Sequence, residues 1–314
     1  MPYKIYSDKD ISLKEWDTLT GNSFFASIGF ASLWRALDGE PLYYLDEESG
    51  KIKAGIGGIV FGKYLFKRYD SMPDGLFGGP FFTPDYDAEK RKKFLASFEK
   101  YIKRNNFIRA NINRPSVDLG SNMFKIQTAF EHVLELSEQG YRPRRRAVGT
   151  DIRGAERRGT RVELLESETD LERLSELARA SARRQGRKTA YPCQFFYRLL
   201  KLSAGNKNIL WLKAMVDNKM IASQITFFEK EAALNWAFYY DKEQSYYKPG
   251  YLLADYALRY SIEKGLKYFS MGSTPGRIES VIRYKEAWGC REQSYNNYMY
   301  RNILGKLICG RRRR

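Results

Sequence analysis

Histidine and cysteine are scarce in this sequence. The 314 residues contain one histidine, His132, and three widely separated cysteines, Cys193, Cys290 and Cys309. Three dispersed cysteines provide neither the ligand spacing of a zinc site nor an even disulfide framework. A single histidine excludes a Ser-His-Asp triad unless His132 itself is the base, and its strand-like neighbours favour a structural role. We therefore expect no metal site and no nucleophile that histidine activates.

Long apolar runs are also lacking, and acidic residues are fewer than basic ones. No stretch of about 18 uncharged apolar residues occurs, and Asp8 and Asp10 fall near the N-terminus, which argues against a membrane span or a signal peptide. We therefore expect a soluble, cytoplasmic protein. The 37 Asp and Glu residues face 54 Lys and Arg residues, a formal net charge of +17. Such an excess favours polyanions, either nucleic acid or an anionic membrane surface.

Helix-like and strand-like segments alternate along a chain that exceeds the usual size of one hydrophobic core. This alternation predicts an α/β or α+β fold in two domains. An internal repeat supports the division, because the hairpin over residues 42–60 recurs at a constant displacement over residues 210–228. We expect a first domain over 1–140, an arginine-rich linker helix over 141–160, and a second domain with a basic tail over 161–314.

Two basic segments account for much of the positive charge. Residues 142–161 contain eight arginines and two acids, and a helix here would place Arg146, Arg153 and Arg157 on one face. The planar guanidinium group of arginine can donate to two phosphate oxygens at once, so this face is a candidate phosphate-binding surface. The alternative is that the segment is a solvated linker helix. The tail over 301–314 has six basic residues and no acidic ones. A flexible tail of this kind adds affinity for polyanions.

An aromatic strand over residues 236–240 leads toward a helix that opens near Gly250. Such a helix start directs backbone N–H groups and the positive end of the helix dipole at an anion. The arrangement is similar to the phosphate loop of acyl-CoA acetyltransferases (GNAT), whose pattern is Arg/Gln-x-x-Gly-x-Gly/Ala. Tyr247 and Leu252 occupy two of those positions instead. A side chain at Leu252 hinders close approach of a diphosphate, which weakens free CoA as a donor without excluding it.

The order of several short motifs resembles the Fem family over nearly the whole chain. The motifs are Arg153-x-x-Glu156-Arg157-Arg158-Gly159, the second hairpin, the degenerate helix start at Gly250 and the closing Tyr284-Lys285-x-x-Trp288-Gly289. Fem proteins and their FemAB-like relatives are tandem-GNAT aminoacyltransferases. The resemblance implies two tandem GNAT-like domains, each a mixed, mostly antiparallel sheet flanked by helices.

The resemblance also implies a reaction and its partners. An amine of a peptide, a peptidoglycan precursor or a small metabolite attacks the ester of an aminoacyl-tRNA, and an amide forms. The ester is already activated, so positioning, proton removal and oxyanion stabilisation suffice, and no cofactor is expected. One alternative is an N-acyltransferase that uses acyl-CoA or an acyl carrier protein. Another is a non-catalytic GNAT-like module that binds RNA or a membrane, with peripheral membrane contact through the basic tail.

The resemblance assigns Lys285 to the donor side of the site, with Arg283 assisting at phosphate or ribose. Asp74, in a Gly-rich loop, and Asp241, after the aromatic strand, are candidate proton acceptors, with a turn role as the alternative for each. The expected phosphate or tRNA contacts are Arg146, Arg153, Arg157, Lys248 and Arg283. The expected cleft residues are Tyr239, Tyr247, Gly250 and Trp288.

Overall fold

Thirteen strands and nine α-helices alternate along the residues that the computed structural model describes, which are 3–137, 140–184, 186 and 191–310. The strands are β1 (Tyr3–Tyr6), β2 (Gly39–Glu48), β3 (Lys51–Phe61), β4 (Arg68–Asp70), β5 (Phe81–Phe82), β6 (Arg109–Asn113), β7 (Lys125–Glu135), β8 (Arg161–Leu164), β9 (Ile209–Val216), β10 (Lys219–Glu229), β11 (Ala232–Tyr240), β12 (Tyr268–Ser273) and β13 (Arg291–Arg301). The helices are α1 (Leu13–Thr20), α2 (Ile28–Ser32), α3 (Ala88–Arg104), α4 (Arg146–Arg157), α5 (Asp170–Arg184), α6 (Cys193–Ser203), α7 (Pro249–Glu263), α8 (Glu279–Trp288) and α9 (Ile303–Gly310). Within the described ranges, none of these helices has the length and apolarity that crossing a bilayer requires.

The chain divides into two compact units. Unit 1 consists of Met1–Ala129 with Tyr295–Arg314, and unit 2 consists of Phe130–Ser294. These limits differ from the boundaries expected from the sequence, because the C-terminal segment returns to unit 1. The four-arginine end of the expected basic tail, residues 311–314, lies outside the described residues.

The sheet of unit 1 has the order β1-β2-β3-β4-β6-β13, and β5 pairs with β3. Its pairs are antiparallel except β4 with β6. Ser49 and Gly50 both have positive φ in the β2–β3 turn, the geometry that matches the twist of a hairpin. Asp87 caps α3 by accepting from the Lys90 N–H. The apolar face of α3 is buried, and its core residues are Phe94, Leu95, Phe98 and Ile102.

The sheet of unit 2 has the order β7-β12-β11-β10-β9-β8. Its pairs are antiparallel except β11 with β12. Asp217 and Asn218 both have positive φ in the β9–β10 turn, so the second hairpin repeats the geometry of the first. The helix α7 lies in the core of this unit through Leu253, Ala257 and Leu258.

The two units have the same architecture, and in each of them the strand at one edge of the sheet comes from a remote part of the chain. Residues 297–301 of β13 pair with β6 in unit 1, whereas residues 131–135 of β7 pair with β12 in unit 2. The predicted mixed, mostly antiparallel sheets flanked by helices are therefore confirmed. The exchange of final strands explains why the observed units differ from 1–140 and 161–314.

The arginine-rich segment forms the expected helix, α4, but this helix is not a solvated linker. Val148, Ile152 and Ala155 are buried in the core of unit 2. These three positions recur at helical spacing, which gives α4 an apolar face as well as a basic one. The helix is therefore an integral element of unit 2.

Candidate active site

Strands β11 and β12 pair over three residues and then separate. The pairs are Ala232 with Tyr268, Ala233 with Phe269 and Leu234 with Ser270. Just beyond them, Gly272 has a φ of +71°, and a Cβ there would lie 3.6 Å from the Asn235 carbonyl oxygen. We call the region between residues 236–240 of β11 and residues 272–273 of β12 the wedge. Ligand sites in open sheets form where neighbouring strands part in this way.

A β-bulge lies where the wedge begins. Ile225 of β10 faces Ala237, and the next residue, Thr226, faces Asn235, so Trp236 is an extra residue in β11. A bulge takes one residue out of the hydrogen-bond ladder. Because the pairing with β12 ends at Leu234, backbone N–H groups of this segment that face the wedge can serve as donors to an oxyanion that forms there.

Lys285 supplies a buried cation at the opposite side of the wedge. Its side chain extends from α8, and the residue is 5% exposed. The Nζ atom donates to the carbonyl oxygens of Gly272 at 2.7 Å and Ser273 at 3.0 Å. Burial lowers the pKa of Lys285 to about 8, although Cys290 and Glu131 oppose the shift. An ammonium group with this pKa can hold or release a proton near neutral pH.

Two residues that the sequence did not indicate, Glu131 and Ser270, hold the carbonyl acceptors of Lys285 in place. The Ser270 hydroxyl donates to Glu131 Oε2 at 2.6 Å and accepts from the Gly272 N–H at 3.1 Å. Glu131 therefore orients Ser270, and Ser270 orients the turn whose carbonyls hold Lys285. In the sequence, Glu131 is a charged residue inside the strand predicted over 124–136. Without its partner Ser270, this position indicates no role in the site.

Two further titratable groups near Lys285, His132 and Cys290, are uncharged at neutral pH. Burial and the Lys285 charge both lower the pKa of His132, so its imidazole is uncharged at neutral pH. Burial raises the pKa of the Cys290 thiol to about 12, so it is not a thiolate. His132 is 2% exposed and lies within β7, where the sequence pattern predicts a structural histidine.

The start of α7 is packed against an aromatic ring. A Cβ on Gly250 would lie 2.9 Å from the ring of Phe238, and the Tyr284 hydroxyl donates to the Gly250 carbonyl at 3.3 Å. Leu252 is buried in the core of unit 2. The small residue at Gly250 therefore accommodates Phe238 rather than leaving an open backbone.

The helix α4 is attached to the segment that precedes α7. Lys248 Nζ lies 3.5 Å from Asp151 Oδ1, and Thr160 Oγ1 donates to the Tyr247 carbonyl at 3.0 Å. The Arg158 guanidinium lies 4.7 Å from the centre of the Tyr246 ring. The exposed face of α4 carries Arg146, Arg153 and Arg157. Three solvent-exposed arginines thus lie on a helix fixed to the start of α7.

Several expected site residues have other structural roles. Asp241 accepts from Arg173 at 2.9 Å and from the Glu243 N–H at 3.2 Å, which makes it an ion-paired turn residue. Arg283 is exposed and lies 3.7 Å from Glu279, so it does not share the buried environment of Lys285.

Two expected cleft residues belong to packed clusters. Trp288 is fully buried in the core of unit 2, which corrects its assignment to the cleft. Tyr239 packs edge-on against Phe196, with the ring centres 6.0 Å apart.

Asp74 belongs to unit 1 and lies in the expected Gly-rich loop. Its φ is +58°, in the left-handed region. Part of the residue is exposed. Desolvation of its carboxyl group by the surrounding protein nevertheless raises the pKa of Asp74, and the negative charge of Asp70 adds to the shift, to about 6. Asp70 is itself held by Arg109 at 3.0 Å and Asn111 at 2.5 Å. Asp74 is therefore largely ionised at neutral pH and more basic than an ordinary aspartate.

Unit 1 has a counterpart of the wedge, but hydrogen bonds close it. Its parallel pair, β4 with β6, ends at Asp70 and Asn111. The Ser71 N–H then donates to the Asn111 carbonyl at 2.9 Å, and the Asn113 side chain donates to the Met72 carbonyl at 2.6 Å. Between the two parallel pairs of the described chain, only the one in unit 2 separates beside a buried lysine.

Comparisons with known proteins agree with this geometry. Residues 142–286 match the Acetyltransferase (GNAT) domain family. The curated proteins include no significant match. Among solved structures, FemX is 12% identical, covers 97% of this chain and 99% of its own, and has a TM-score of 0.70. L-PGS from Bacillus licheniformis is 11% identical, covers 96% of each chain and has a TM-score of 0.62. A tandem GNAT protein from the clavulanic acid biosynthesis pathway is 10% identical, covers 95% of this chain and 98% of its own, and has a TM-score of 0.53.

The family match includes the two strands that form the wedge, β11 and β12, together with α4, the start of α7 and Lys285. The likeness to FemX extends over the whole chain at the level of the fold, as the motif order implied. Residues 142–286 thus match the Acetyltransferase (GNAT) domain family, in a chain whose fold is similar to that of FemX over nearly its full length.

Proposed function

We propose that this protein is an aminoacyltransferase that takes its acyl group from aminoacyl-tRNA and forms an amide on an amine acceptor. One observation carries the choice of donor. The helix start that a CoA diphosphate would approach is packed against Phe238, while the adjoining helix α4 exposes three arginines. An aromatic ring against the first turn of α7 narrows the approach of a small diphosphate, and an exposed arginine face suits a long phosphate backbone.

The chemistry follows from the residues around the wedge. The acceptor nitrogen attacks the ester carbonyl, and the bulged backbone of β11 stabilises the tetrahedral oxyanion. The carbon–oxygen bond to the ribose then breaks, and Lys285 donates a proton to the departing ribose oxygen. The attacking amine loses one proton. We propose Asp74, whose pKa is raised to about 6, as its acceptor, because the carboxylate of Asp241 is already ion-paired with Arg173.

The direct test is a transfer assay with each class of donor. The protein, charged tRNA and a panel of amines should give uncharged tRNA together with an amide product. The same panel with acyl-CoA should give no product, and calorimetry should detect no binding of CoA at millimolar concentration. Product from acyl-CoA, or none from a complete set of aminoacyl-tRNAs, would contradict the proposal. Binding of tRNA without transfer would instead indicate the non-catalytic RNA-binding module.

The arginine face of α4 predicts how binding of tRNA depends on salt. Changing Arg146, Arg153 and Arg157 together to glutamine should flatten the plot of log K against log salt by about 2 to 3, because each contacted phosphate contributes about 0.7 to 0.9. Filter binding across a salt series measures the slope.

A matched variant separates this face from the overall charge. Lys207, Lys219 and Lys230 are exposed lysines of the same unit, and changing them to glutamine removes the same charge. This variant should keep the wild-type slope. Equal slopes for the two triple variants would mean that α4 does not contact the tRNA.

A further inference from the structure

Unit 1 exposes two apolar segments that the acyl-transfer chemistry does not use. The first is the turn Tyr64–Phe66, in which Tyr64 is 86%, Leu65 61% and Phe66 57% exposed. The second is α9, in which Ile303 is 78% and Leu307 63% exposed. Isolated exposed apolar residues are ordinary, but consecutive ones on a turn and on a helix face call for an explanation.

Both segments are attached to one residue of unit 1. The Ile108 N–H donates to the Lys67 carbonyl at 2.9 Å, directly after the turn. The Ile108 carbonyl accepts from the Asn302 N–H at 3.1 Å, directly before α9. A Cβ on Gly305 would lie 2.1 Å from the Ile108 carbonyl oxygen, so α9 passes close to this point. The turn and the helix therefore project from the same end of the sheet.

The strand register confirms this common position. Arg68 begins β4 and pairs with Arg109 at the start of β6, which pairs with Arg301 at the end of β13. The turn precedes Arg68 and the helix follows Arg301, so they emerge at the same end of the two strands that flank β6. We call residues 63–68 and 301–307 together the apolar-basic end.

Basic residues adjoin the apolar tips along the chain. Lys63, Lys67 and Arg68 flank the turn, and Lys306 lies on α9 between Ile303 and Leu307. No acidic residue occurs in the sequence over 61–69 or over 298–314. Exposed aliphatic and aromatic tips with lysines and arginines next to them match the boundary between the acyl chains and the anionic headgroups of a bilayer.

We propose that the apolar-basic end docks this protein on an anionic lipid bilayer, with Leu65, Phe66, Ile303 and Leu307 entering the interface. The uniform positive charge favours this partner over a second copy of the chain, because two such surfaces would repel each other. The sequence predicts membrane contact through the basic tail, and the surface described here needs none of the residues 311–314. It also does not depend on the identity of the acyl donor.

The test is sedimentation of the full-length protein with vesicles. Vesicles that contain phosphatidylglycerol should bind the protein at low salt, whereas pure phosphatidylcholine vesicles should bind it much less. Changing Leu65 and Phe66 together to serine should reduce binding at least tenfold, and so should changing Ile303 and Leu307 together. Changing Ile126 to serine removes an apolar side chain of unit 1 that is also 57% exposed, and it should leave binding unchanged.

A second pair of variants tests the contribution of charge. Changing Lys63 and Lys306 to glutamine should weaken binding about fivefold per charge, whereas changing the exposed Lys92 and Lys100 on α3 should have little effect. Equal losses for both pairs would show only general attraction and would overturn the proposal. Absence of vesicle binding would also overturn it, as would a dimer in analytical ultracentrifugation that the Leu65 and Phe66 changes dissociate.

Discussion

Replacement of Lys285 by methionine is expected to lower the rate of acyl transfer about 10²- to 10⁴-fold, the range for loss of a positioned general acid. The reason is the location of the ammonium group. Its Nζ is fixed by the Gly272 and Ser273 carbonyls at the mouth of the wedge, in a site that is 5% exposed. Methionine fills a similar volume but supplies no proton. Steady-state kinetics with the donor that the transfer assay identifies measure the loss.

The pH dependence distinguishes a proton donor from a simple positive charge. Lys285 is active when protonated and has a pKa of about 8, so the rate should fall as the pH rises through 8. Arginine at position 285 keeps the charge but does not titrate in this range, so this variant should have reduced activity without the alkaline decline. An unchanged alkaline decline in the arginine variant would show that another group titrates.

The same burial makes Lys285 a source of pH-dependent stability. The folded pKa of about 8 lies below the ordinary value of 10.5, so the unfolded chain holds more protons between these two pH values. Stability should therefore rise as the pH increases from 8 to 10.5, by about 3 kcal/mol for this depression of the pKa. The methionine variant should lack that rise, and it should remain folded at pH 7.

A control variant isolates the effect of burial. Lys242 is an exposed lysine of the same unit, and its replacement by methionine should change neither the rate nor the pH dependence of stability. Chemical unfolding of the three proteins across this pH range provides the comparison. If the Lys285 and Lys242 variants behave alike, Lys285 has no special role.

The repeated hairpins could be predicted because residues close together in the chain determine each of them. Alternating apolar residues and one turn with two residues of positive φ specify each hairpin within about twenty residues. The edge strands β7 and β13 could not be placed in this way, because each pairs with a strand that is remote in sequence. Their hydrophobic pattern indicates a strand but not which sheet it joins. The domain limits were therefore less predictable than the elements.

The candidate site shows the same division between local and remote information. Lys285 was identified from a short motif around a helix end, and the structure places it beside the separating strands. Glu131 and Ser270, which orient its acceptors, lie far apart in the chain, and no local pattern joins them. Arg283, which is expected to assist at phosphate or ribose, lies two residues from Lys285, so the two side chains face different directions on the helix. The Arg283 side chain is exposed and lies 3.7 Å from Glu279.

A change of Gly78 to alanine is expected to destabilise the protein by at least about 4 kcal/mol, which is exceptional for a single substitution. A Cβ at this position would lie 1.3 Å from the Ser71 carbonyl oxygen and 2.9 Å from the Gly57 carbonyl oxygen. Both obstacles are backbone atoms, so no change of rotamer relieves them. Gly78 also accepts the Gly57 N–H through its own carbonyl at 3.2 Å, which holds it in place.

Gly149 offers a matched control for this substitution. A Cβ there would have its nearest neighbour at 3.5 Å, the end of the Arg153 side chain. Alanine is favoured over glycine inside a helix, so Gly149→Ala should raise stability by up to about 1 kcal/mol. Thermal and chemical unfolding of the two variants measure the contrast. If Gly78→Ala unfolds like the wild type, the loop has another conformation than the one described.

The Gly78 variant also tests whether unit 1 contributes to the reaction. Ser71 lies three residues before Asp74, and its hydroxyl accepts the Asn113 N–H at 2.9 Å. A displaced Ser71 therefore moves the loop that positions the Asp74 carboxyl. If Asp74 accepts the proton of the attacking amine, any folded fraction of Gly78→Ala should lose kcat while its unit 2 residues remain unchanged. A folded fraction with normal kcat would remove Asp74 from the mechanism and leave the chemistry to unit 2.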